Sequence, residues 1–136
     1  MVQRNGIEAF RREWQQHSLM QLHSRDARIH ELLRSIIARY RGNDLQTSHP
    51  HKVASAIEGK TLDLPTLIIN GEWDSPARLD AAVRIASAMT HASRVIVPRA
   101  GHLPNLDNPT FYNDAVNGFL RSGSGTESAT FERSRS

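Results

Sequence analysis

The sequence predicts an α/β fold, and three observations carry that expectation. Two short β-rich apolar runs, Thr66-Leu67-Ile68-Ile69 and Arg94-Val95-Ile96-Val97, break the helical periodicity of the rest of the chain. A helix signal, opened by Ser75-Pro76, lies between them. A second helix signal follows at Asn108-Pro109. Strand, helix, strand, helix over residues 65–120 is the pattern of a parallel unit with a right-handed crossover.

The first part of the chain is helical by spacing. Asn5 followed by Glu8 resembles a capping box, and Ile7, Phe10 and Trp14 then share one face, so a helix is expected over about residues 6–16. From Ser24 the repeat is stronger. Ile29, Leu32, Leu33, Ile36, Ile37 and Tyr40 recur at three- and four-residue steps, Arg39 and Arg41 sit in the last turn, and Gly42 supplies the stop. Residues 43–50 are polar and read as a loop. Pro50 opens a short helix carrying Val53, Ala54 and Ile57 and ending at Gly59.

Leu64-Pro65 leads into the first strand, which Asn70-Gly71 closes. The helix after Ser75-Pro76 is expected to turn Leu79, Ala82, Val83, Ala86 and Met89 inward. The second strand ends at Pro98. The helix after Asn108-Pro109 carries Phe111, Tyr112, Ala115, Val116 and Phe119 on one face. From Ser122 the chain is small and polar, a composition that disfavours a packed core. The expected division is therefore 1–60 helical, 61–121 α/β and 122–136 a disordered tail.

Composition narrows the functional classes. With 136 residues and 38% hydrophobic content the chain is the size of one domain. It has no cysteine, which removes disulfides, thiolate metal sites and a cysteine nucleophile. The opening MVQRNGIEAFRREW has no apolar core of a signal peptide, and no run approaches the roughly 18 apolar residues of a membrane span. A soluble, cytoplasmic protein is expected. The net charge is +3, with 15 arginines and two lysines, Lys52 and Lys60. The arginines alternate with Glu8, Glu13, Asp26 and Glu31 and form no block, so solvated helix faces rather than a nucleic-acid surface are expected. His49-x-His51 has neither the helical spacing nor an acidic neighbour of a metal site.

Ligand and catalytic groups of parallel sheets collect past the carboxyl ends of the strands. Asp74 stands there after Gly71-Glu72-Trp73, and His102 after Pro98-Arg99-Ala100-Gly101. Adjacent parallel strands are about 5 Å apart, so a carboxylate and an imidazole 28 residues apart in sequence can meet. A carboxylate on one ring nitrogen fixes the tautomer, while the other nitrogen takes up and returns a proton. Plain roles compete: an Asp after Gly at a strand end serves turns and caps, and Gly-His is common in loops. Asp80 is expected on the polar face of its helix, Asp63 at the wrong edge for chemistry, and Trp73 at the strand end, bordering or plugging it. Trp14, Met20 and Leu22 are candidates for lining a pocket, with ordinary helix packing as the competing role.

The stretch from LDLPTLIINGEWD through PRAGHLPNLDNPTFYNDAVNGFL closely resembles the C-terminal portion of α/β-hydrolases. The Pro-led strand ending in Gly71-Glu72-Trp73-Asp74 matches the turn that bears the superfamily's triad acid. Ala100-Gly101-His102 matches the strand end that bears its histidine, and the Leu-Pro-Asn-Leu-Asp-x-Pro continuation is similar to lipase, esterase and enol-lactonase-like members. About 60 residues carry the likeness. It implies Asp74 as orienting acid, His102 as base, no cofactor, a small carboxylic ester, lactone or related substrate, and the helices before residue 60 as a cap or lid.

The superfamily's G-x-S-x-G nucleophile elbow does not occur in the sequence, nor does a His-Gly-Gly-type oxyanion loop. Both precede the cap in the family and are expected upstream of Met1. Oxyanion donors contribute about 3 kcal/mol each, so acid and base alone are not expected to run the acyl-transfer cycle. The first strand would also have an unpaired edge, so isolation is expected to leave the chain unstable, self-associating or incomplete. The alternative is an inactive, truncated hydrolase-like module that dimerises or docks on a complementing chain.

Overall fold

The computed structural model describes residues 2–43 and 64–122. Expectations for His49, His51, the helix after Pro50, Asp63 and the tail beyond Ser122 lie outside these residues.

The first helix, α1 (Val2–Gln16), is interrupted at Gly6, whose φ of 75° and ψ of 172° are not helical. Regular turns therefore resume where the Asn5-to-Glu8 signal places a helix start. A short 3-10 turn (Ser18–Met20) follows, then α2 (Ala27–Arg39). Asp26 caps α2 by accepting the Arg28 N–H at 2.9 Å. Gly42, the expected stop, has a φ of 68°. The two helices are joined by the Arg11 guanidinium, which donates through Nε and Nη2 to the Tyr40 carbonyl at 3.0 and 2.7 Å. Phe10 lies between Tyr40 and Trp14, at ring distances of 5.8 and 5.6 Å. Trp14 also stacks on His17, so its contacts are those of helix packing.

The α/β part follows the expected order. Strand β1 (Thr66–Gly71), helix α3 (Pro76–Ser87), strand β2 (Ala92–Val97), the single turn α4 (Pro104–Asp107) and helix α5 (Pro109–Arg121) succeed one another. The strands pair in parallel, from Thr66 opposite Ala92 to Gly71 opposite Val97, so both end at one edge. Pro76 opens α3 and Pro109 opens α5, where a missing N–H costs nothing. Asn108 caps α5 by accepting the Phe111 N–H and also donates to the Pro98 carbonyl.

Ile37, Ala82, Val97, Ala100 and Pro104 are the buried apolar side chains among the described residues. On α3, Ala82 is buried and Leu79 and Ala86 half-buried, as the spacing predicts. Val83 departs from it, being 45% exposed. Positions 79, 82 and 86 already fill the face toward the two strands, and position 83 turns past its edge. Met89 lies beyond the last turn of α3 and is half-buried.

Candidate active site at the strand ends

The backbone at the ends of β1 and β2 is joined beyond the last ladder rung. The Glu72 N–H donates to the Val97 carbonyl and the Trp73 N–H to the Ala100 carbonyl, both at 2.9 Å. This close approach requires glycine at position 71. A Cβ there would collide with the backbone carbonyls of Ala100 and Gly101, which cannot swing aside as a side chain can. The turn after β2 is held from both sides: the Glu72 carboxylate accepts the Arg99 N–H at 2.9 Å, and the Asn108 amide donates to the Pro98 carbonyl at 3.1 Å. Arg99 occupies the left-handed region with a φ of 56°, a conformation costing a non-glycine residue about 1 kcal/mol or more.

Asp74 and His102 meet across this junction. Asp74 Oδ2 lies 3.3 Å from His102 Nδ1, while Oδ1 accepts the Ser75 N–H at 2.8 Å. Arg78, one turn into α3, brings Nε to 3.9 Å of Oδ1. The Asp74 side chain is 5% exposed and that of His102 28%. Among the neutral tautomers, the geometry selects the one in which Nδ1–H donates to the carboxylate, leaving the lone pair on Nε2. An imidazole held in this way can accept a proton through Nε2, and the adjacent carboxylate stabilises the resulting cation.

Of the other sequence candidates, Asp80 is exposed on α3 and outside this pair. Trp73 is 51% exposed and its ring meets that of His23 in a T-shaped contact with centroids 4.8 Å apart, so it borders the site rather than plugging the strand end. Met20 and Leu22 are half-buried in the segment after α1. No group of three or more metal-ligating side chains occurs among the described residues. No helix among them is long and apolar enough to cross a membrane.

One residue of the site has no role in the sequence expectations. The Asp107 carboxylate, five residues after His102, accepts the N–H of His23 at 2.6 Å and of Ser24 at 3.0 Å through Oδ1, and that of Gly101 at 2.8 Å through Oδ2. Its sequence signal was modest: an acid in an otherwise apolar Leu-Pro-Asn-Leu stretch, placed before Asn-Pro.

The family model described as TAP-like protein, an α/β-hydrolase family, matches residues 38–130. The chain belongs to the α/β-hydrolase superfamily. Among curated members it is 31% identical over 133 residues to the Bacillus subtilis (strain 168) protein named "Putative 2-succinyl-6-hydroxy-2,4-cyclohexadiene-1-carboxylate synthase", with 89% of this chain and 46% of that protein covered. Among solved structures, MenH from S. aureus superposes with a TM-score of 0.71 at 19% identity, covering 89% of this chain and 47% of that one. The second likeness shows the fold alone. The chain spans about half the length of both relatives, and the two parallel strands with their helices correspond to part of the larger fold.

Proposed function

We propose that the chain carries the acid and base of an α/β-hydrolase active site, with His102 as proton carrier and Asp74 as its orienting acid. The observation that carries this reading is the contact between His102 Nδ1 and the nearly buried Asp74 carboxylate at the shared strand edge. The nucleophile is a serine-type hydroxyl on a G-x-S-x-G elbow, a motif absent from these 136 residues. Nε2 takes the hydroxyl proton as the oxygen attacks the carbonyl of a small carboxylic ester or lactone. The tetrahedral intermediate collapses, the leaving alkoxide takes the proton from Nε2, and water repeats the cycle to release the acid and restore the hydroxyl. The Bacillus subtilis relative is named for a cyclohexadiene carboxylate product, which directs the substrate search toward carboxylate-bearing ring compounds. The helices α1 and α2 belong to the cap of this site.

In a protein uniting this chain with such an elbow, His102→Ala lowers kcat for an activated aryl ester by about 10³-fold or more, and Asp74→Asn by up to about 10⁴-fold. Full turnover in His102→Ala would overturn the assignment. Turnover by these 136 residues alone, abolished in His102→Ala, would instead keep the base and remove the need for the elbow.

A further inference from the structure

Asp107 lies outside the acid–base pair, yet its carboxylate holds the backbone on both sides of the site. The peptide unit joining Ala100 to Gly101 immediately precedes His102. Its carbonyl accepts the Trp73 N–H at 2.9 Å, and its N–H donates to Asp107 Oδ2 at 2.8 Å. One end of that peptide plane is thus fixed by the loop bearing Asp74, and the other by Asp107. Glycine has the widest backbone freedom of any residue, so without the second bond the chain entering His102 can rotate about Gly101.

The other carboxylate oxygen holds a segment more than 80 residues away. Oδ1 takes the His23 and Ser24 N–H groups from the connection between α1 and α2. The His23 ring consequently packs over Gly101, where an added Cβ would lie 2.7 Å from its Cδ2, and makes a T-shaped contact with Trp73. Three backbone donors on one carboxylate are charge-assisted bonds, stronger than neutral ones. They converge from the segment before α2 and from the histidine loop.

We infer that Asp107 is a positioning residue that makes the seating of the His23-Ser24 segment and the orientation of His102 toward Asp74 a single structural state. The inference rests on the proposed pairing of Asp74 with His102 and deepens it. An amide at position 107 cannot reproduce the carboxylate. If its oxygen keeps the His23 and Ser24 donors, its NH₂ faces the Gly101 N–H, and the reverse choice leaves two donors facing NH₂.

The test uses the whole 136-residue chain labelled with ¹⁵N and reads the ring nitrogens of His102 and the backbone amides by NMR. In Asp107→Asn, exchange of the Gly101, His23 and Ser24 amides rises about 10- to 100-fold, as expected for loss of hydrogen bonds to a charged group. The Nδ1–H tautomer signature of His102 is lost, while the Ile69 and Val95 amides keep their protection. An unchanged His102 signature alongside faster Gly101 exchange would reduce Asp107 to a tether and overturn the inference.

Asp74→Asn separates the two levels. Loss of the His102 signature there, but not in Asp107→Asn, leaves the acid–base pair standing and removes Asp107. If Asp74→Asn leaves the signature intact, the pair itself fails and the inference falls with it. Should Asp107→Asn fail to fold, seen as lost protection at Ile69 and Val95, native-state exchange of the unmutated chain decides. Gly101, His23, Ser24 and the His102 ring N–H opening together, with one denaturant dependence, supports coupling; independent opening overturns it.

Discussion

The junction at the ends of β1 and β2 and the outer face of α3 belong to the same α/β unit but are built under different constraints. At the junction, Val97 and Ala100 are fully buried, Gly71 leaves no room for a side chain, and nearby backbone groups are paired across the loops. On α3, Val83 and Ile85 are 45% and 51% exposed although their residue types favour burial. Leu120 near the end of α5 is 68% exposed. The difference shows where this chain concentrates its own stability. It lies at the edge that holds Asp74 and His102 and under the inner faces of the helices at Ala82 and Ile37, whereas the outer helix faces contribute surface.

The most damaging way to break that contrast is Gly71→Ala. A methyl driven into the carbonyls of Ala100 and Gly101 must separate the two loops, for which overpacking costs suggest about 3 kcal/mol. That is a large fraction of the roughly 5–15 kcal/mol by which folded domains are stable. Urea unfolding should show the loss, together with loss of the His102–Asp74 signature in the population still folded. A near-neutral Gly71→Ala would mean that the loops are not in contact.

A smaller effect is expected from the flank. Ile85→Ser should change unfolding free energy by less than about 0.5 kcal/mol, because half of the side chain already faces water. A loss comparable to that of Gly71→Ala would show that this face is covered in solution.

The smallest effect concerns Asp26, at the start of α2. The Arg28 side chain, and then its backbone N–H, hold the Asp26 carboxyl below its usual value. A carboxyl depressed on folding stabilises the fold above its unfolded pKa, and that contribution fades as pH falls through the lower folded value. In Asp26→Asn, which still caps, the acid limb of the helical circular dichroism signal should be slightly flatter below about pH 4. Identical acid limbs would remove the link.

The sites and their supports were legible to different depths. Asp74 and His102 could be read from the chain because each follows a short apolar run by a few residues, and parallel pairing places both run ends at one edge. The helix starts at Ser75-Pro76 and Asn108-Pro109 were equally local, since caps and N1 prolines act within a turn. Val83 was misplaced because a repeat of three and four specifies a face but not its width against only two strands. Asp107 went without a role because two of its three partners, His23 and Ser24, are 84 and 83 residues distant.

By itself, the sequence determined the order of strands and helices and the shared edge at which Asp74 and His102 meet. These follow from local backbone preference and the handedness of the crossover. Only the tertiary structure decided that Gly71 cannot be replaced without collision, that Arg99 holds a left-handed turn, and that Asp107 joins the segment before α2 to the loop of His102. Such features depend on atoms brought within 3 Å by folding, and no periodicity along the chain encodes that distance.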